Sequence, residues 1–371
     1  MNRFKKLASQ SWLLTAGLTV LLMTSSLNAV ALASSSALTS PKLTHILFGS
    51  CSHQDKPMPI FDAILNEPAD GFIFLGDNIY GDTEDMEELS AKYQKLGNNP
   101  GFKALRSKVP VYAIWDDHDF GENDAGKSYP FKQQSKAIML DFWGVPKDSP
   151  RRKRQDGIYG SYVIQNDENH KSSSNDAIRV ILPDLRYMRD DLESVGALGY
   201  YTNRKFKDMG PYKPSKGSML SQQQWQWLEL ELQQPERIKI IGSSLQLIAD
   251  FTGWESWANF DDRQRLFDLI KKHKVNGVFI ISGDTHWGEI SKFDEGMDYP
   301  LWDVTSSGLT EEWKQVSPNK HRTSGSTTKV NYGFFTVNWE DADPSIHFGL
   351  KDIKGDVVME QKITLSTLSP Y

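Results

Sequence analysis

Three apolar runs in this chain stop abruptly at aspartate. Gly-Phe-Ile-Phe-Leu leads into Gly-Asp-Asn-Ile-Tyr at 76–80, Val-Pro-Val-Tyr-Ala-Ile into Trp-Asp-Asp-His-Asp at 115–119, and Gly-Val-Phe-Ile-Ile-Ser into Gly-Asp-Thr-His at 283–286. A fourth corner, Gly-Ser-Cys-Ser-His at 49–53, follows Ile46-Leu47-Phe48. Short continuous apolar runs are the pattern of fully buried strands. A buried strand that ends at Asp and His puts hard ligands at the carboxyl edge of a sheet, where open α/β folds build their sites. Four such corners converging there predict a metal cluster, and a metal cluster implies hydrolysis.

The rest of the chain fits two α/β halves and a strand-rich tail. The first half runs from about 43 to 145, with strands ending at Phe48, Leu75 and Ile114 and helices over Pro59–Leu65 and Glu84–Leu96. Met86, Leu89 and Tyr93 have helical spacing. The run Arg151-Arg152-Lys153-Arg154 reads as a solvated turn. The Ser/Asn/Asp stretch at 166–176 reads as a hairpin tip. Residues 191–217 lack a clear period and read as a long surface loop, a candidate lid. Helices follow at Ser221–Leu232, with Ser221 as N-cap, and at Asp261–His273. Between them lies a strand over Ile238–Ile241, and the tail is expected to be antiparallel. The sum is two packed sheets flanked by helices, with the cluster at the top of the sandwich.

The 371 residues carry a net charge of −6 and show no basic stripe, which argues against a dedicated nucleic-acid binder. Eleven Trp, many close to Gly and Asp, suggest the walls of a cleft as well as core. Residues 1–33 have the form of a Sec-type signal peptide: Arg3, Lys5 and Lys6, an apolar stretch over Leu13–Leu22, and Ala31-Leu32-Ala33. Residues 34–42 then form a flexible segment and 43–371 the functional domain, exported to the periplasm or beyond, with no transmembrane segment after signal removal and a monomer as the expected state.

The corners allow specific chemistry. Asp77 has two oxygens and could bridge two ions. Asp284 and His286 are two apart, so in extended backbone both could reach one ion. The single cysteine, Cys51, is either a small buried core residue or a thiolate ligand; its place on the ligand edge favours the ligand. Tyr80 is a ligand or a satisfied half-buried Tyr, and Asn78 a ligand or a turn residue. Three acids around His118 repel unless a cation neutralises them, and Asp117 and Asn123 are further ligand candidates. His118 is suited to give a proton to a leaving group. Arg186 either grips a phosphate oxygen or forms a buried pair with Asp184. His53 is close enough to Cys51 to face the site, whereas the other histidines have no matching partners in the pattern.

In order along the chain, Gly-Ser-Cys at 49–51, Gly-Asp-x-x-Tyr at 76–80, Trp-Asp-Asp-His-Asp with Asn123, Pro-Asp-Leu-Arg at 183–186 and Gly-Asp-Thr-His resemble the PhoD-like alkaline phosphatases of the calcineurin-like metallophosphoesterase superfamily. The resemblance spans about residues 44 to 310. It implies a four-layer α/β/β/α sandwich and hydrolysis of phosphomonoesters and phosphodiesters with iron and calcium. By motif position, Cys51, Asp77, Tyr80, Asp284 and His286 match the iron ligands, Asp117 and Asn123 the calcium side, and His118 the catalytic His. The chain departs from the larger members in lacking a twin-arginine signal and their extra N-terminal strand domain.

The resulting expectation is an exported metallophosphatase in which a metal-activated water attacks a small phosphate ester. Two rivals remain: a diesterase specialised for envelope lipid or polymer, using 191–217 and Trp254/Trp257 as a groove, and a non-catalytic metal- or phosphate-binding module.

Overall fold

The computed structural model describes residues 42–165, 175–206, 210–251 and 254–370, with backbone alone at 203–206. The expected signal peptide and most of the expected hairpin tip lie outside these residues.

The first half alternates strand and helix. Strand β1 (Leu43–Gly49) leads to α1 (Ile60–Leu65) and β2 (Gly71–Leu75); then come α2 (Met86–Asn98), α3 (Pro100–Lys108) and β3 (Val111–Ile114). Asp85 caps α2 by accepting from the backbone of Glu87 and Glu88, and Asn99 caps α3 ahead of Pro100. A short helix α4 (Asp117–Phe120), α5 (Lys132–Phe142) and α6 (Pro150–Lys153) follow. The second half holds β4 (Gly160–Ile164), β5 (Ile178–Leu182), α7 (Gly196–Phe206), α8 (Gln222–Leu232), β6 (Ile238–Ser243), α9 (Asp262–Lys272) and β7 (Val278–Ser282). The tail is β8 (Gly288–Phe293), β9 (Leu301–Ser306), β10 (Arg322–Thr327), β11 (Asn331–Asn338), β12 (Ser345–Asp352) and β13 (Val357–Thr364).

Among the described residues these strands form two mixed sheets. The first has the order β13-β12-β11-β1-β2-β3 and the second β10-β8-β9-β7-β6-β5-β4. In the first, β1, β2 and β3 are parallel. In the second, β5, β6, β7 and β9 are parallel. Phe279 of β7 packs on Phe335 and Phe348 of the first sheet, each 4.7 Å between ring centroids. Gly242 in β6 allows the close approach of the sheets, because a Cβ there would lie 3.1 Å from Leu75 of β2. On the outer face of the first sheet, Phe74 meets Phe102 of α3 and Trp143 just beyond α5. On the outer face of the second, Phe267 of α9 stacks on Phe293. The layers therefore run α/β/β/α, and the parallel strands of both sheets deliver their carboxyl ends to one rim.

Three expectations need correction. The loop at 191–217 contains α7. The tail is not wholly antiparallel, since β9 pairs parallel to β7; β11 pairs antiparallel but with β1 of the other sheet. The basic run is not a solvated turn: Arg151 is buried, its Nε donating to Ile158 O at 2.7 Å and its Nη1 to Tyr162 at 2.7 Å, and Arg152 donates to Leu140 O and Val145 O. Guanidinium forks here satisfy carbonyls that loops leave unpaired.

Glu67, just after α1, ties this layer to the first sheet. It accepts from Lys351 at 2.6 Å, from His45 at 3.3 Å and from the Tyr332 hydroxyl. Burial opposes the charge, but these three donors outweigh it and hold the carboxyl down from 4.5 to about 2. A carboxyl depressed in the folded state contributes stability above its unfolded value of 4.5 and loses it as pH falls toward about 2. Glu67→Gln is expected to cost ~1–2 kcal/mol at neutral pH. Thermal unfolding of both proteins from pH 7 downwards checks this, because the gap should close across that acid window; a gap that persisted at the acid end would refute the assignment.

Candidate metal centre

The site is built from the first residues after β1, β2, β3 and β7. Cys51 (φ +63°), Asp77 (φ +48°), Asp284 (φ +73°) and His286 (φ +61°) all occupy left-handed backbone. Non-glycine residues there cost on the order of 1 kcal/mol each, and such strain concentrates at functional sites. The corners hold it by stitching to one another: Cys51 N donates to Gly76 O, Ser52 N to Asp77 O, and Thr310 N to Cys51 O. The glycine before Asp77 is required by contact as well as by its φ of +101°, since a Cβ would lie 2.5 Å from Asp116 Cβ.

These corners bring together most of the residues singled out from sequence. Donor atoms of Cys51, Asp77 and His286 lie within 4.8 Å of one another, as do those of Asp77, Asp117 and His118, and those of Asp77, Asp116, Asp117 and Asp284. Asp77 is common to all three groups, the position expected of a bridging ligand. Cys51 Sγ is 3.4 Å from Asp77 Oδ2. The Tyr80 hydroxyl is 2.9 Å from His286 Nε2, and its ring stacks on His53, with centroids 4.6 Å apart. Asn123 is exposed and lines the same cavity as Asp117.

The three acids of the β3 corner play different parts. Asp117 and His118 face the cavity. Asp119 faces away: it accepts from the backbone of Asp116, Asp77 and Asn78, and so locks the β2 and β3 corners together. Asp116 accepts from Arg186 Nε at 2.5 Å and Ser244 Oγ at 2.7 Å. His118 Nδ1 is 2.7 Å from Asp82 Oδ1. Burial lowers the His118 pKa, but Asp117 and Asp82 outweigh it and raise it to about 9.

Arg186 is not presented to a substrate. It is fully buried, and besides Asp116 it pairs with Glu255 at 2.6 Å; Arg189 pairs with the other oxygen of Glu255 at 2.5 Å. Its expected partner Asp184 instead accepts from Trp115 Nε1 and from the backbone of Ile158, Arg186 and Tyr187. Sequence reasoning also missed Asp82, Asp124 and Glu255. Asp124 and Glu255 lie within ligand distance of Asp117. Asp124 follows the candidate Asn123 directly and could have been caught; Glu255 arrives from the segment between β6 and α9, which carries no pattern.

The donor set fits cations. Asp77 Oδ1, Asp116 Oδ2, Asp117 Oδ1 and Asn78 Oδ1 are buried and have no hydrogen-bond partner, and orphaned buried oxygens in such number call for an ion. Burial first, then neighbouring carboxylates, push Asp77 and Asp284 well above the usual carboxylate range. Burial and Asp77 likewise raise the Cys51 thiol. A bound cation reverses each of these.

Over the site lies a cavity of about 190 Å³. Its floor includes Asp117, His118, Asp284 and His286, and its walls carry Phe251, Trp254, Trp287 and Trp313.

No protein-family model and no curated protein sequence matches this chain. Solved structures do match it. The structure of PhoD aligns over 88% of this chain and 69% of its own, with 14% identity and a TM-score of 0.63. GAP50, described as the anchor in the inner membrane complex of Plasmodium, aligns over 87% and 89%, with 13% identity and a TM-score of 0.52. A 5'-nucleotidase precursor from Thermus thermophilus aligns more loosely, over 88% of this chain and 55% of its own, with 13% identity and a TM-score of 0.37. The fold is the one shared by the PhoD and GAP50 structures, and the buried acid and histidine cluster suits a metal site.

Proposed function

We propose that this chain is an exported metal-dependent phosphoesterase acting on small phosphate esters. The observation that carries the reading is the shared position of Asp77 between the Cys51–His286 group and the Asp117–His118 group. Cys51, Asp77, Tyr80, Asp284 and His286 would hold one ion, iron by resemblance, and Asp117 and Asn123 a calcium ion beside it. Ions bound there supply positive charge at phosphoryl oxygens and a more acidic water. The chain's own residues orient and protonate. Asp82 fixes the His118 ring through Nδ1, leaving Nε2 to give a proton to the departing oxygen. Arg186 and Arg189 hold Asp116 and Glu255 in place behind the site. Export rests on the leader sequence, and among the described residues no helix is long and apolar enough to cross a membrane.

The test is hydrolysis of a chromogenic monoester and diester with calcium, without it, and with a strong chelator. Turnover abolished by chelator is expected, and the diester-to-monoester ratio separates a general phosphatase from an envelope diesterase. His118→Asn should lower kcat by about 10²–10³-fold with metal content retained; loss of metal instead would make His118 a ligand. The likeness to GAP50 favours one second reading, a binding module, which predicts bound metal and no turnover under any condition.

A further inference from the structure

We infer that the preferred ester carries a flat apolar ring on its leaving group, seated against Trp254 and Trp313. This rests on the phosphoesterase reading and narrows it.

Among the described residues, none that lines the cavity is Lys or Arg. Asp117, Asp124, Glu255 and Asp284 give it an acidic lining, and Arg186 is sealed behind them. Among the described residues the basic side chains of the lining are His118, committed to the departing oxygen, and His286, committed to the candidate metal cluster, so selectivity beyond the phosphate falls to the apolar wall. That wall is aromatic. Trp254 is 38% and Trp313 46% exposed, and among the described residues they are the exposed tryptophans. Both line this one cavity. Large aromatic rings left in water at a cleft mark a surface waiting to be covered.

The rings are held ready for a ligand. Trp313 N donates to His286 O at 3.0 Å, and its ring centroid lies 6.3 Å from that of His286. A ring lying on Trp313 is thus placed beside the candidate ligand cluster. Trp254, the other exposed ring of the lining, is braced edge-on by Tyr200 of α7, with centroids 6.2 Å apart and planes at 89°. Aromatic contacts with pre-positioned rings favour flat apolar groups over alkyl ones, by about tenfold for one or two stacking contacts.

The test compares kcat/KM for 2-phenylethyl phosphate and ethyl phosphate, whose leaving alcohols are both primary alkyl alcohols, so that the ring reports binding rather than leaving-group acidity. A ratio of about tenfold or more is expected, falling to about twofold in the Trp254→Ala/Trp313→Ala double variant and largely kept in Trp313→Phe. Each ratio is taken within one protein sample, so a partly unfolded variant does not distort it. Equal kcat/KM for both esters in the unaltered protein would leave the phosphoesterase reading standing and overturn this one. So would a preference that survives the double substitution. Hydrolysis of neither ester, with the chromogenic diester still cleaved, would overturn this inference and leave the phosphoesterase reading standing; hydrolysis of none of them under any metal condition would overturn both.

Discussion

Asp77→Asn is expected to lower turnover by about a thousandfold or more and, at the same time, to raise the melting temperature of the metal-free protein. Asp77 sits within ligand distance of Cys51 and His286 on one side and of Asp117 and Asp284 on the other. It is 1% exposed. In the chelated protein its charge gains little: Oδ1 has no hydrogen-bond partner, and Asp116, Asp117 and Asp119 all press on it. A neutral amide of the same shape removes that repulsion, worth ~1–2 kcal/mol, or about 2–5 °C in a chain of this size. With ions present the sign reverses, since anything bound only to the native state adds stability in proportion to its occupancy and Asp77→Asn forfeits it. Calorimetry with and without chelator, metal analysis and kcat on the same samples decide the matter. A variant that kept both its ions and its turnover would remove Asp77 from the bridging role.

Arg186→Met is expected to destabilise the fold by ~3–5 kcal/mol, the cost of removing one partner from a buried ion-pair network. Asp116, Asp117 and Glu255 surround the guanidinium, and Glu255 keeps only Arg189 when it is gone. The loss should appear in denaturant or thermal unfolding, while KM of the folded fraction stays within about twofold, because the side chain does not reach the cavity. Arg186→Lys keeps the charge but not the fork, so it should recover part of the stability only. A stable Arg186→Met protein with a KM raised by orders of magnitude would restore Arg186 as a phosphate contact.

The corners were legible because two codes coincide at them. A run such as Phe72-Ile73-Phe74-Leu75 can only be buried, and Gly76 followed by Asp77 at its end marks both the turn and the ligand. The helix start at Ser221 was equally plain, being a side-chain cap read from adjacent residues, whereas α3 (Pro100–Lys108) was not read. What escaped depended on distant contacts. Nothing in Arg151-Arg-Lys-Arg says that carbonyls from 140, 145 and 158 need donors. Nothing near Arg186 names Glu255 as its partner, because the pairing exists only once α9's approach brings that segment over the sheet edge. The crossing of β11 to the first sheet was hidden for the same reason: alternation in a strand gives its faces, not its neighbours.

That crossing has a bearing on how the protein is made. Strand β1 is the first strand among the described residues and lies inside its sheet, with β2 on one side and β11, from near the end of the chain, on the other. As the chain emerges from its N-terminal end, β1 can gain β2 long before β11 and meanwhile shows an open edge to whatever strand comes near. Such late, long-range closure is slow and exposes nascent chains to mispairing. A message truncated just short of codon 331 would therefore release a chain whose ligand corners are all encoded, yet whose first sheet ends in a sticky, half-paired β1, and the fate of that chain would be aggregation or proteolysis rather than weak activity.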